Sequence, residues 1–247
     1  MRYVSFLFLL AFLMTPAVPA EAQIFSSSNV QLLYGDGFED WYYGSSTESG
    51  RQTTVTFQHL SDFESGDVFF FADLMRGSYV DADGDPKGKD YRVYSEMAAR
   101  FSPLGAFGEK PDGFVSDVLI ASQMNRDGNG FAAHMIGAGV DLEVPGFTAA
   151  NVNVYYRDDV FNSPTYQVTT VWETVWDAPF SITPVRLTFS GFVDVYGTDS
   201  DGADFHTQPQ LLLGTDGLPV EAGLELYYHS NDAIDVRAPQ VLLKWTL

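Results

Sequence analysis

The chain has 247 residues, 13 of them Lys or Arg and 33 Asp or Glu, giving a formal net charge of −20. That balance excludes nucleic acid as a partner, because phosphate recognition needs a basic surface. The absence of cysteine excludes thiol catalysis, disulfide frameworks and cysteine-ligated metals. Aromatics reach 15%, while charged residues stand at 19%, below the ~25% of an average soluble domain.

In chain order, residues 1–22 read as a secretory signal peptide. Arg2 supplies the positive start, Val4 to Met14 is an apolar run broken only by Ser5, and Val18-Pro19-Ala20 and Ala20-Glu21-Ala22 each offer a small-residue cleavage point. The run is shorter than the ~20 apolar residues a spanning helix needs. Residues 23–247 then form a single domain. No later segment is apolar enough for a transmembrane helix, so any crossing of a membrane is made by strands.

From about Asn29 onward, short runs of alternating apolar residues are separated by Gly, Asp, Asn, Pro and Ser clusters. The runs place about twelve strands, at roughly 29–35, 51–60, 67–76, 90–102, 113–123, 131–142, 150–158, 165–177, 185–197, 204–214, 219–230 and 239–247. In the last, Val241, Leu243, Trp245 and Leu247 share one face, and Gln240, Lys244 and Thr246 share the other with Leu242 as the exception. An export leader followed by amphipathic strands to the final residue predicts an all-β fold. The expected architecture is a transmembrane antiparallel β-barrel of the outer membrane, with both termini periplasmic. Ten residues at ~3.3 Å each, tilted by ~45°, rise ~23 Å and match the apolar band of such barrels.

The connections alternate in character. The odd ones are polar and mostly acidic, as in Gly44-Ser45-Ser46, Asp81-Ala82-Asp83-Gly84-Asp85, Asn125-Arg126-Asp127-Gly128, Asp158-Asp159, Asp199-Ser200-Asp201-Gly202 and Asn231-Asp232, and suit extracellular loops. The even ones, such as Val144-Pro145-Gly146 and Thr215-Asp216-Gly217, are tight turns, with Pro103 to Gly113 longer than that rule. A secreted soluble β-sandwich or lipocalin-like barrel would also alternate. Aromatic placement separates the two readings: Tyr91, Phe101, Tyr156, Trp172 and Trp176 sit on apolar faces near strand ends, as membrane-interface girdles do.

If the apolar faces meet lipid, the opposite faces line a lumen. They carry Phe69, Phe71 and Asp73; Arg92, Tyr94, Glu96 and Arg100; Asp117; Asp141; Asn153, Tyr155 and Arg157; Gln167 and Glu173; Phe192 and Asp194; Gln208 and Gln210; Glu225 and Tyr227; and Lys244. A charge facing lipid at mid-height costs ~2–4 kcal/mol, so the common register of these charges is an internal check on the strand assignment. Seven inward acids (Asp73, Glu96, Asp117, Asp141, Glu173, Asp194, Glu225) meet about four inward bases. Such a lumen repels phosphates, while its aromatics and amides suit a neutral solute with a flat ring and several hydroxyls. Phe69 and Phe71 are expected to stack on the ring. Asp73, Glu96, Gln167 and Asp194 are expected to hydrogen-bond its edges, and Arg92 and Arg100 to shape the field through partners such as Glu96. The competing expectation is that these charges pair among themselves and plug the lumen.

Other constellations are weak. Asp81 to Asp90 fails calcium-loop spacing, with Pro86 where the turn glycine belongs and Arg92 where the bidentate Glu belongs. His59, His134, His206 and His229 show no metal-ligand spacing. No phosphate-loop or dinucleotide motif occurs. No cofactor and no enzymatic role are expected.

A series of short motifs runs through the chain in order: Phe57-Gln58-His59, Gly66-Asp67-Val68-Phe69-Phe70-Phe71-Ala72-Asp73-Leu74, Tyr94-Ser95-Glu96, Gly139-Val140-Asp141-Leu142, Val144-Pro145-Gly146-Phe147, Tyr155-Tyr156-Arg157 and Tyr166-Gln167-Val168-Thr169. It continues through Phe189-Ser190-Gly191-Phe192-Val193-Asp194 and Thr207-Gln208-Pro209-Gln210-Leu211-Leu212-Leu213, and closes with Glu225-Leu226-Tyr227-Tyr228 and Ala238-Pro239-Gln240-Val241. The series resembles the nucleoside-specific channel-forming outer-membrane proteins (Tsx/OmpK-like) over nearly the whole mature length. The resemblance implies a monomeric twelve-stranded barrel with a narrow slot for nucleosides and deoxynucleosides. The chain departs from the family pattern at its terminal Leu247, where Phe is usual, and over Asn231 to Asp235. The expected function is passive, selective uptake of nucleosides or similar small polar solutes, with outer-membrane lipid around the barrel and the C-terminal strand addressing the barrel-assembly machinery. A non-transporting structural or surface-interaction barrel is the alternative.

Overall fold

The computed structural model describes residues 23–39, 46–80, 91–128, 130–158, 169–182, 184–198 and 202–247. Residues 1–22, expected to be a signal peptide, and Gly44, Ser45, the acidic stretch Asp81 to Asp90, Asp159, Gln167 and Asp199 to Asp201 lie outside these residues.

Among the described residues thirteen strand segments follow one another: β1 (Phe25–Gly35), β2 (Gln52–Phe63), β3 (Gly66–Arg76), β4 (Tyr91–Phe101), β5 (Val115–Asp127), β6 (Ala132–Leu142), β7 (Ala149–Asp158), β8 (Thr169–Ile182), β9 (Val185–Thr198), β10 (Gly202–Thr207), β11 (Gln210–Thr215), β12 (Val220–Ser230) and β13 (Asp235–Thr246). Each pairs antiparallel with its neighbours, and β13 pairs with β1 through Leu243↔Leu32 and Val241↔Tyr34, so the sheet closes on itself. Closure leaves no edge strand with unpaired backbone groups, the condition for a sheet to stand in lipid.

β10 and β11 are two halves of one stave. Both lie between β9 and β12, and the pairs Thr207↔Val193 and Gln210↔Ser190 keep a single register. The closed wall therefore has twelve staves. The interruption falls at Gln208-Pro209, where proline has no N–H to give the ladder. Gly191 accommodates the break: its φ is 156°, and a Cβ there would come within 2.8 Å of the Gln208 carbonyl oxygen and 2.9 Å of Pro209 Cα. Thr207 Oγ1 donates to the Phe192 carbonyl at 2.5 Å, which satisfies a backbone acceptor at the break.

Four strands differ by four residues or more from their expected extents. β1 begins at Phe25 because Ser26-Ser27-Ser28 pair with β2 although they carry no apolar alternation. β5 runs on to Asp127, so Asn125, Arg126 and Asp127, expected in a loop, are ladder residues paired with β4 and β6. β8 continues to Ile182, so Trp176 sits near its middle and not at an interfacial end. There it stacks on Phe189 of β9 with ring centroids 5.6 Å apart. β13 begins at Asp235, where the pattern is inverted: Val236 and Ala238 are buried while Arg237 is exposed. An inverted pattern of that kind fits the part of a strand that extends past an apolar band into water.

Alternation sorts the side chains as the period of two requires. Val30, Leu32, Tyr34, Leu74, Ile120, Tyr156, Trp172, Leu211, Leu224, Val241, Leu243 and Trp245 are exposed on the outer face. Asn29, Gln31, Asp117, Gln123, Asn153, Glu225 and Gln240 are buried on the inner one. An inside-out distribution of this kind is stable only in lipid. The interior is filled by side chains, with Leu33, Leu212 and Leu242 in one internal cluster and Ala121, Met135, Tyr155 and Val171 in another that also packs Tyr196. Leu242, the exception in the last strand's pattern, is thus an inward-facing packing residue.

Candidate functional site: the lumen

One rim carries Leu247, the first of the described residues and the short connections. Leu247 N–H donates to the Ser28 carbonyl there, and Glu64-Ser65 joins β2 to β3 in two residues. The exception at this turn rim is the β4–β5 connection, which contains a 3₁₀ turn over Gly105–Phe107. It folds inward. Ser102 is fully buried and donates to Asp117 Oδ1 at 2.7 Å, and Lys110 Nζ lies 3.0 Å from Asp117 Oδ2. Arg100 stands nearby and forks between Asp67 at 2.6 Å and Asp141 at 2.7 Å. Arg186 pairs with Glu221 at 3.2 Å.

At mid-height, Phe69, Phe71 and Tyr94 form an aromatic ladder with centroid separations of 6.0 and 5.9 Å. The ladder adjoins the carboxylates. Tyr94 hydroxyl donates to Glu96 in a short hydrogen bond, and Gln123 and Asn125 donate to the same carboxylate at 2.9 and 3.0 Å. Thr56 donates to Asp73 at 2.5 Å. On the opposite wall, Asn153 and Tyr155 donate to Glu173 at 2.7 and 3.3 Å. Gln210 and Gln240 each donate to Glu225 at 2.7 Å. An amide network continues from there: Gln210 to Gln31 at 3.1 Å, Gln31 to Asn29 and Gln58 at 3.0 Å.

Toward the loop rim, Arg92 pairs with Asp127 at 2.9 Å. His206 stacks among Phe192, Tyr227 and His229 at 5.1, 5.0 and 5.2 Å, and touches Gln208 through its Nε2. His229 meets Asp204 at 2.7 Å. The β1–β2 connection sends Phe38, fully buried, against Tyr227, Val236 and Ala238. It is bridged to the β3–β4 connection through Thr47↔Tyr79. Burial pushes the Tyr79 hydroxyl up to about 12, so at neutral pH it remains a donor to Gln52 at 3.0 Å.

The inward residues named from sequence do not converge on one point. Phe69, Phe71, Asp73, Tyr94, Glu96, Glu173, Asp194, Gln210 and Glu225 share the middle. Arg100 and Asp117 stand toward the turn rim, and Arg92, Gln208 and Tyr227 toward the loop rim. Tyr155 belongs to an internal apolar cluster as well as to Glu173. The expectation that Arg92 and Arg100 act through Glu96 is corrected: they pair with Asp127 and with Asp67 and Asp141. Each lies four residues from Glu96, on the order of 13 Å along a strand, which is beyond direct reach.

Sequence reading missed Asn29, Gln31, Gln58, Gln123 and Asn125, all on lumen faces by the same parity that placed their neighbours. It also missed His206, His229 and Tyr196. No periodic signal could have placed Phe38 or Lys110, because both sit on connections.

A closed barrel with its apolar side chains outside and its charges inside is what decides the location. The protein is an outer-membrane β-barrel. No protein-family model matches the chain, and no curated protein sequence is similar to it. Among solved structures it is similar to a KdgM porin, at 6% identity and a TM-score of 0.49, covering 88% of this chain and 98% of that one. It is also similar to the COG4313 outer membrane channel from Pseudomonas putida F1 (9%, TM-score 0.46, 94% and 98%) and to the Acinetobacter baumannii outer membrane protein Omp33 (12%, TM-score 0.40, 91% and 99%). The barrel itself rests on the closing pairs between β13 and β1 and not on these similarities.

Proposed function

We propose that the barrel is a passive, substrate-selective channel for small polar solutes, with nucleosides as the preferred class. The carrying observation is the Phe69–Phe71–Tyr94 ladder set directly beside carboxylates and amides. A nucleoside offers a flat base to ring faces and hydroxyls and edge groups to hydrogen-bonding side chains. Stacking on an aromatic contributes ~1–3 kcal/mol per base, and a succession of weak sites lets a solute enter and also leave. Phe69 and Phe71 stack on the base; Asp73, Glu96, Gln167 and Asp194 hydrogen-bond base edges or ribose; Gln208, Gln210, Glu225 and Tyr227 continue the polar path. The motif series quoted above supports the same class.

On this reading residues 1–22 are a cleaved leader, the barrel acts as a monomer, the turn rim faces the periplasm, and the final strand is the segment read by the assembly machinery. Ion conductance in a planar bilayer, titrated with adenosine or thymidine, tests the proposal. Reversible reduction of a small conductance supports it, and an open conductance indifferent to nucleosides removes the substrate class.

A second reading is favoured by the filled interior. Tyr155, Asn153 and Leu212 are each at most 2% exposed, and rim charges are paired. A barrel so packed would be a non-transporting structural or surface protein. It predicts no conductance at all in the same experiment.

A further inference from the structure

The pairing of charges inside the barrel is uneven along its axis. The inward bases Arg92, Arg100 and Arg186, and Lys110 from the β4–β5 connection, are all bound to acids toward one rim or the other. At mid-height stand five carboxylates: Asp73, Glu96, Glu173, Asp194 and Glu225. Among the described residues, Asp73, Glu96, Glu173 and Glu225 accept hydrogen bonds from neutral donors, a threonine, two tyrosines, and asparagine and glutamine amides. Arg157 is the base at this level, its guanidinium 4.9 Å from the Tyr196 ring centroid and within electrostatic reach of Glu96 and Asp194.

Two independent observations mark this level as incomplete. Glu173 and Asp194 are directly opposite each other in the β8–β9 ladder, an arrangement of like charges that destabilises a sheet unless something compensates it. Among the described residues, Asp194 Oδ1 is shielded and has no hydrogen-bond partner, and the same is true of Oε1 of Gln240, a side chain 5% exposed that holds Glu225 through its Nε2. Acceptors left open beside acids that outnumber the base at their level call for a further donor that carries positive charge.

We infer that the mid-lumen is a filter for small organic cations bearing an amine or guanidinium group, which the facing carboxylates Glu173 and Asp194 attract and the Phe69–Phe71–Tyr94 rings hold. Acidic rings confer cation selectivity on pores, and ring faces attract cations within about 6 Å. Both elements meet here at one height. A planar guanidinium uses both, since it stacks on rings and binds carboxylates through two parallel N–H donors. Phosphate-bearing solutes meet the same belt with the opposite sign.

The inference rests on the reading of the lumen as a conducting path, and one experiment separates the two. The full-length mature protein is placed in a planar bilayer under a tenfold KCl gradient, and the reversal potential is read. The filter predicts a potential directed toward the potassium limit, with potassium favoured over chloride by roughly tenfold, and block of the potassium current by millimolar guanidinium chloride. Glu173→Gln with Asp194→Asn, isosteric changes, should bring the permeability ratio to within about twofold of unity and relieve the block; Arg157→Gln should raise the ratio. A reversal potential at zero or toward chloride in the unmodified protein overturns the filter while leaving the channel standing. A silent bilayer overturns both.

Discussion

Phe71 is the residue on which the proposed chemistry turns. It stands between Phe69 and Tyr94 in the ring ladder and opposite Glu96 in the β3–β4 pairing. Phe71→Ala should weaken nucleoside block by ~1–3 kcal/mol, with assembly unaltered, as read from current titration and from the heat-modified gel shift of the folded barrel. Unchanged block would take Phe71 out of the path. Arg100 makes a contrasting case. It is held by Asp67 and Asp141 with 12% of its side chain exposed, so Arg100→Gln leaves two acids without their counter-charge. The expected cost is about 3 kcal/mol of stability, seen as a lower urea midpoint, and a midpoint equal to that of the unmodified protein would contradict the role. The inward position of both residues was legible in sequence, because parity along a strand fixes the face. Their partners were not. Parity gives the face and not the partner: Arg92 and Arg100 stand four residues to either side of Glu96 on β4, too far along the strand to meet it, and pair with acids of other strands.

The stave formed by β10 and β11 shows how an element can break locally without losing its place. Its two halves share one register on both sides, and Gly191 makes room for Pro209. Gly191→Val would put side-chain carbons against the Gln208 carbonyl and Pro209 Cα and should slow folding into detergent or lower the unfolding midpoint. Normal folding would show that the stave yields freely. Sequence placed this stave at one continuous span, since Leu211, Leu213 and their partners alternate on either side of the proline. It misjudged the ends of β1, β5, β8 and β13, where serines, an Asn-Arg-Asp run or an inverted pattern replace the apolar alternation. The turns at Val144-Pro145-Gly146, Thr215-Asp216-Gly217 and Asn231-Asp232 were recognisable from their clusters, whereas Asn125-Arg126-Asp127 belongs to β5. The inward fold of the β4–β5 connection was not, because Ser102, Lys110 and Asp117 meet only in three dimensions.

The whole molecule is a polar interior wrapped in an apolar exterior, and each face makes its own demand. Leu224→Arg, on the outer face, should cost ~2–4 kcal/mol if it lies at the bilayer midplane, measurable as a shift in folding equilibrium in lipid vesicles. No shift would mean that the face does not meet hydrocarbon there. Inside, the carboxylates of the middle belt should make a nucleoside monophosphate a far poorer permeant than the nucleoside, and equal flux of the two in liposome swelling would contradict the charge argument. The most direct test of the central claim is the current through the purified barrel in a planar bilayer as adenosine or thymidine is raised to millimolar concentration. A small conductance that falls reversibly with nucleoside is the predicted result. A conductance that ignores nucleosides, or no conductance in the folded protein, would contradict it.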